Sequence, residues 1–235
     1  MGRKRIAALL LAAVTALGLV GCGAEKDKED KSGHAAISVY PAKFSAEETA
    51  LTELLDVSIN NYRMFDFQIG SETQGVQSMM FRAYELEDGN WVDIATQVYP
   101  FSDAVGRIAL TFGKMPDGVK MAVQSESGTN SSTFAPVVEE GEAAVTYATS
   151  ALTGSPSVEF DEEVPLVLQF ATSKSEFSTY NVEYFGMPRE LAKHDYDHVY
   201  AVTVTFSQKP VSEIVQSIAP GIPQSEPSAE PSPEA

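Results

Sequence analysis

The chain has 235 residues, a formal charge of −17, one cysteine and one tryptophan. Apolar residues make up 43% of it, enough to fold around a core, and the length fits one or two domains. The acidic excess without a basic stripe excludes a nucleic-acid partner, and a lone cysteine excludes both intrachain disulfides and cysteine-cluster metal sites.

Arg3, Lys4 and Arg5 precede fifteen uncharged residues, Ile6 to Val20. That run is shorter than the roughly 20 residues a spanning helix needs. A basic start followed by a short apolar stretch is the pattern of an export signal. The stretch ends in Leu19-Val20-Gly21-Cys22, which resembles the lipobox of bacterial lipoprotein precursors. The resemblance implies diacylglycerol on the Cys22 thiol, cleavage of the Gly21–Cys22 bond and further acylation by chains such as palmitate. Two or three acyl chains anchor stably, where one gives only marginal binding. Myristoylation at Gly2 is excluded, because that motif needs Ser or Thr where Ile6 stands. Residues 1–21 are thus expected to be a signal peptide. The mature chain is expected on the extracytoplasmic face of the cell membrane, held there by its lipid. Loss of three positive charges takes the formal charge from −17 to −20.

Residues 22–36 carry dense mixed charge with no apolar period and read as a flexible tether. The folded body is expected over 37–220. Ser45 and Glu48 have the spacing of a capping box, and Leu51, Leu54 and Leu55 mark the apolar face of a short helix. Period-two alternation then predicts strands. Phe65, Phe67 and Ile69 share one face, as do Ile108, Leu110 and Phe112, and Val119, Met121 and Val123. Met79–Leu86 and Trp91–Val98 flank Glu87-Asp88-Gly89-Asn90, whose Asp-Gly pair suits the tight turn of a hairpin. Weaker strands are predicted at Thr133–Val138, Ala144–Thr149 and Tyr180–Tyr184. Strong ones follow from Val164, Leu166, Leu168 and Phe170, and from Tyr200, Val202, Val204 and Phe206. Val211–Ile218 reads as a second short helix or a strand continuation. Residues 221–235, rich in Pro, Ser and Glu, read as a disordered tail. The expected fold is all-β: an antiparallel two-sheet sandwich, jelly-roll-like, with one face of each sheet solvated and one short helix near the start. A parallel α/β fold is excluded, since helical segments do not alternate with strands.

YELEDGNW, GRIALTF and GVKMAV, placed behind a lipobox and a charged tether, make the first half of the body similar to uncharacterised surface lipoproteins of Gram-positive bacteria. That similarity implies a β-rich extracytoplasmic domain and no assigned reaction.

Four groups of residues are candidates for chemistry. Glu159, Asp161 and Glu163 alternate along Glu-x-Asp-x-Glu, which resembles the catalytic motif of jelly-roll retaining β-glucanases. The resemblance implies Glu159 as nucleophile, Glu163 as acid/base and Asp161 between them, with carboxyls about 5–5.5 Å apart. The alternative is a solvated acidic loop between Pro156 and Pro165. His194, Asp197 and His198 are a sparse metal set, the imidazoles sharing a face if the run is extended. The alternative is a polar turn into the strand that follows. Glu139, Glu140 and Glu142 add carboxylate density that suits calcium but lack its loop spacing. Tyr180, Tyr184 and Phe185 would stack a sugar or grip a peptide if exposed, or pack a strand end if not. No nucleophile elbow, phosphate loop or dinucleotide fingerprint occurs, and no cofactor is implied. The expected role is that of a lipid-anchored binding or interaction module. Its partner would be an envelope protein, a glycan or a small ligand. The alternatives are a surface glycan-binding or glycan-hydrolysing domain and a metal-dependent surface protein.

Overall fold

The computed structural model describes residues 37–54, 62–70, 75–134 and 146–218. The expected signal, tether and tail, with Cys22, lie outside them. In chain order the described strands are β1 (Ile37–Pro41), β2 (Tyr62–Ile69), β3 (Ser78–Glu87), β4 (Asn90–Pro100), β5 (Val105–Thr111), β6 (Val119–Ser125), β7 (Gly128–Phe134), β8 (Thr146–Ala151), β9 (Ser157–Val158), β10 (Glu163–Thr172) and β11 (His198–Ser207). The described helices are α1 (Ala46–Leu54), α2 (Pro188–Leu191) and α3 (Val211–Ile218). One sheet has the order β7-β6-β5-β2-β1-β9 and the other β4-β3-β11-β10-β8, with every pairing antiparallel. This is the two-sheet antiparallel sandwich that the alternation predicts.

The sheets meet through the residues that share the predicted faces, except on β10, where a bulge between Pro165 and Val167 shifts the register, so that Val164 pairs with inward Val204 while Leu168 and Phe170 turn outward. Phe65, Phe67, Ile108, Leu110 and Met121 line the inner side of the six-stranded sheet, each at most 1% exposed. Across from them stand Val202, Val204 and Phe206, with Phe81 and Met79 as register partners of Val204 and Phe206. The Phe67 and Phe206 rings lie 5.1 Å apart, joining the sheets at the centre. Phe67 pairs in register with Gly106. A Cβ on Gly106 would stand 2.5 Å from the Phe67 ring and 2.7 Å from the Gln124 carbonyl oxygen. Gly106→Ala should therefore cost about 1–3 kcal/mol through overpacking. A urea midpoint equal to that of the parent would refute this.

The hairpin forms where the sequence places it. Asp88 and Gly89 take φ of 49° and 76°, two successive positive values that match the right-handed twist of β3 and β4. The capping box also forms. The Ser45 amide donates to Glu48 Oε2 at 2.7 Å, and the Glu48 amide donates to Ser45 Oγ at 3.1 Å.

The apolar face of α1 does not seat as expected. Leu51 and Leu54 are 54% and 81% exposed, and Leu55 lies outside the described residues. The helix is fastened by a polar clamp instead. Arg107 Nη1 donates to Glu48 Oε1 at 2.5 Å and Arg107 Nε to Asp66 Oδ1 at 2.6 Å. Asp66 and Arg107 are register partners on the outward face of the six-stranded sheet. The helix start is therefore held on a polar surface, where leucines find nothing to bury against.

The five-stranded sheet corrects a second expectation. Its central strands β10 and β11 are buried on both faces, not on one. Residues 173–197 lie across the outer side. Tyr196 and Tyr180 pack on Phe170 with ring centroids 5.0 and 6.5 Å away. Phe185 stacks on Trp91 at 5.0 Å, and the Trp91 indole N–H donates to the Phe185 carbonyl at 2.8 Å. Tyr180–Tyr184 is thus not a strand. Its C-terminal part enters the short 3-10 turn Val182–Gly186, whose rings need no sheet partner to be covered. Val211–Ile218 is helical, with Ile214 buried.

Candidate functional site

The three alternating carboxylates do not converge. The chain between β9 and β10 makes a turn at Phe160-Asp161, with Asp161 at φ 61°, so the alternation of an extended strand is lost. Glu159 is exposed. Asp161, itself exposed, is tied back to β11: the Ser207 hydroxyl donates to its Oδ1 at 2.5 Å and its own amide donates to the Phe206 carbonyl at 2.8 Å. Glu163 lies on the outer side of β10. Its Oε1 accepts from the Tyr84 hydroxyl at 2.7 Å and the Thr203 hydroxyl at 2.6 Å. Arg82 Nη1 donates to the Tyr84 oxygen at 3.2 Å, and its Nε stands 3.6 Å from Asp93. Burial pushes the Tyr84 hydroxyl up to about 12. Glu163 is a joint between β3, β10 and β11.

The histidine group does not converge as a ligand set either. Residues 192–197 are a turn, so His194 and His198 do not alternate along one strand. His198 Nδ1 pairs with Glu85 Oε1 at 2.7 Å, and His194 Nδ1 is 3.3 Å from the Tyr180 hydroxyl. Asp197 accepts from the Ser173 amide. His194, Asp197 and His198 do border one small cavity of about 200 Å³. Among the described residues, however, no group of three or more His, Cys, Asp or Glu side chains is placed to hold a metal ion. Tyr180, Tyr184 and Phe185 are half-buried and pack against the core. Glu139, Glu140 and Glu142 lie outside the described residues.

A larger cavity, about 600 Å³, lies at one end of the sandwich. One wall is Pro100 to Asp103, the link from β4 to β5, with Val76 and Gln77 beside it. The other is the β6–β7 hairpin, which contributes Ser125, Ser127, Gly128, Thr129 and Asn130. The walls are tied together. The Ser127 hydroxyl donates to Asp103 Oδ1 at 2.7 Å and the Ser127 amide to Oδ2 at 3.0 Å. Hydrogen bonds from the Ser125 hydroxyl and from Ser127 hold the Asp103 carboxyl below its ordinary range. The Phe101 amide donates to the Gln77 carbonyl at 3.1 Å, and the Gln77 amide to the Ser207 carbonyl at 2.9 Å, which seats this wall on β11. The Phe101 ring stands edge-on to Phe67 at 5.3 Å and so rests on the central ring pair.

Sequence reasoning missed this groove because three separate segments build it. One signal was present. Ser125 to Thr133 is almost entirely small and polar, and it occupies a strand without an alternating apolar face. A strand of that kind faces solvent on both sides and is free to present its side chains.

No family model matches the chain, and neither a curated protein nor a solved structure matches it. Among the described residues, no helix is long and apolar enough to cross a membrane.

Proposed function

We propose that this chain is a lipid-anchored, extracytoplasmic binding module: a β-sandwich tethered through Cys22, with the groove at its end as the recognition face. The observation that carries the binding role is the groove. It is a concave site of mixed polar and apolar lining whose walls are braced by Asp103 and Ser127 and seated on the core through Phe101. Its volume falls within the roughly 300–1,000 Å³ typical of ligand sites. The anchor rests on the lipobox-like Leu19-Val20-Gly21-Cys22 behind a basic, apolar leader. A charged tether of some fifteen residues and an acidic body suit a domain standing clear of an anionic bilayer.

Two measurements test the two halves. Cys22→Ser should move the protein from the membrane fraction to the soluble extracytoplasmic fraction and abolish labelling by a palmitate analogue. Unchanged partitioning would overturn the anchor. For binding, the detergent-solubilised full chain should co-sediment with envelope material stripped of lipid. A chain left wholly in the supernatant would overturn the recognition role.

A further inference from the structure

We infer that the groove between the β4–β5 link and the β6–β7 hairpin is a site for an uncharged saccharide. This rests on the binding-module reading and names the chemistry of its ligand. The lining selects by what it offers. Hydroxyls come from Ser102, Ser127 and Thr129, amides from Gln77 and Asn130, and a carboxylate from Asp103. Hydroxyls and amides both donate and accept, and a carboxylate accepts through two oxygens. A sugar ring, whose neighbouring hydroxyls also donate and accept, is the small ligand that uses such a set most fully. Gln77, Ser102, Thr129 and Asn130 are exposed, so their polar groups can exchange water for ligand without first breaking a buried bond. Nearly half of the lining is apolar, with Pro100 exposed and only the edge of the buried Phe101 reaching it, which gives the C–H groups of a sugar a surface to meet.

Other ligand classes fit the same lining less well. Among the described residues that line it there is no Lys, Arg or His and Asp103 is the only charge, so phosphate, sulfate and uronate groups would be repelled. An apolar ligand would leave the ring of hydroxyls and amides unpaired. A cation would find, among the described residues, a single carboxylate and a single, mostly buried aromatic ring instead of a cage. The volume, about 600 Å³, admits a short oligosaccharide.

The test is saturation-transfer NMR on the detergent-solubilised full chain with maltotriose, cellotriose, mannotriose and chitotriose, and with trialanine as the peptide comparison. At least one sugar should show transfer and trialanine none. Asp103→Asn and Asn130→Ala should each weaken that binding at least tenfold, while Glu183→Gln, on the covering segment, should leave it unchanged. Asn130 is exposed on β7 and outside the Asp103–Ser127 brace, so its variant reports on the groove even where the Asp103 variant folds poorly. No transfer from any of the four sugars overturns the inference, and so does equal transfer from trialanine or undiminished binding in both variants. A chain that co-sediments with envelope material yet takes up none of the sugars would leave the binding module standing and remove the saccharide.

Discussion

Phe206→Ala should lower the stability of the body by about 3–5 kcal/mol, the cost of emptying a buried aromatic site. Phe206 is fully buried, and its ring meets Phe67 of the opposite sheet at 5.1 Å. Phe67 in turn meets Phe101 at 5.3 Å. The three rings join β11, β2 and the β4–β5 link, so the void would open where the sheets are pinned and the groove wall is seated. In a domain of this size the loss corresponds to a fall in melting temperature on the order of 10 °C. Phe206→Leu refills most of the volume and should cost clearly less. Urea denaturation decides the matter: two variants with equal midpoints would show that this ring does not hold the sheets together.

The second large effect is expected at Gln169, a polar side chain inside the sandwich at 1% exposure. Its Oε1 accepts from the Met115 amide at 2.6 Å. Its Nε2 donates to the Gly113 carbonyl at 3.0 Å and to the Thr149 hydroxyl at 3.2 Å. Gln169 belongs to β10 of one sheet, and the backbone it satisfies belongs to the β5–β6 connection of the other. Gln169→Leu keeps much of the volume but strands an N–H and a C=O in the core. Each stranded group costs about 1–3 kcal/mol, so a total of about 2–6 kcal/mol is expected. The Met115 amide should then exchange with solvent much faster than in the parent. Slow exchange together with an unchanged unfolding midpoint would show that the turn does not depend on this amide.

The contrast between these two positions shows what was legible in the sequence. Phe206 belongs to the Tyr200-Val202-Val204-Phe206 alternation, so its burial follows from a local period of two. Gln169 sits inside an apolar run, where nothing nearby in sequence announces the turn at Gly113–Met115 that it serves. The same division separates the two predicted turns. Asp88-Gly89 is determined by its own backbone freedom, and the hairpin forms there. The bend at Asp161, which disperses Glu159, Asp161 and Glu163, is held by Ser207 and the Phe206 carbonyl, more than forty residues away.

By itself, then, the sequence determined the antiparallel sandwich, the inner faces of its strands other than β10, the β3–β4 hairpin and the Ser45–Glu48 cap. Each of these depends on side-chain period or on a residue's own φ and ψ, which neighbours within a few positions suffice to define. Tertiary structure alone decided that the leucines of α1 stay exposed over a polar clamp, and that residues 173–197 cover the second face of β10 and β11. It also decided that the acidic run disperses and the two histidines take different partners, while Gln77, Phe101, Asp103 and Asn130 come together around one groove. Those outcomes depend on which distant surfaces meet once the sheets close, and such meetings carry no local period for a sequence to display.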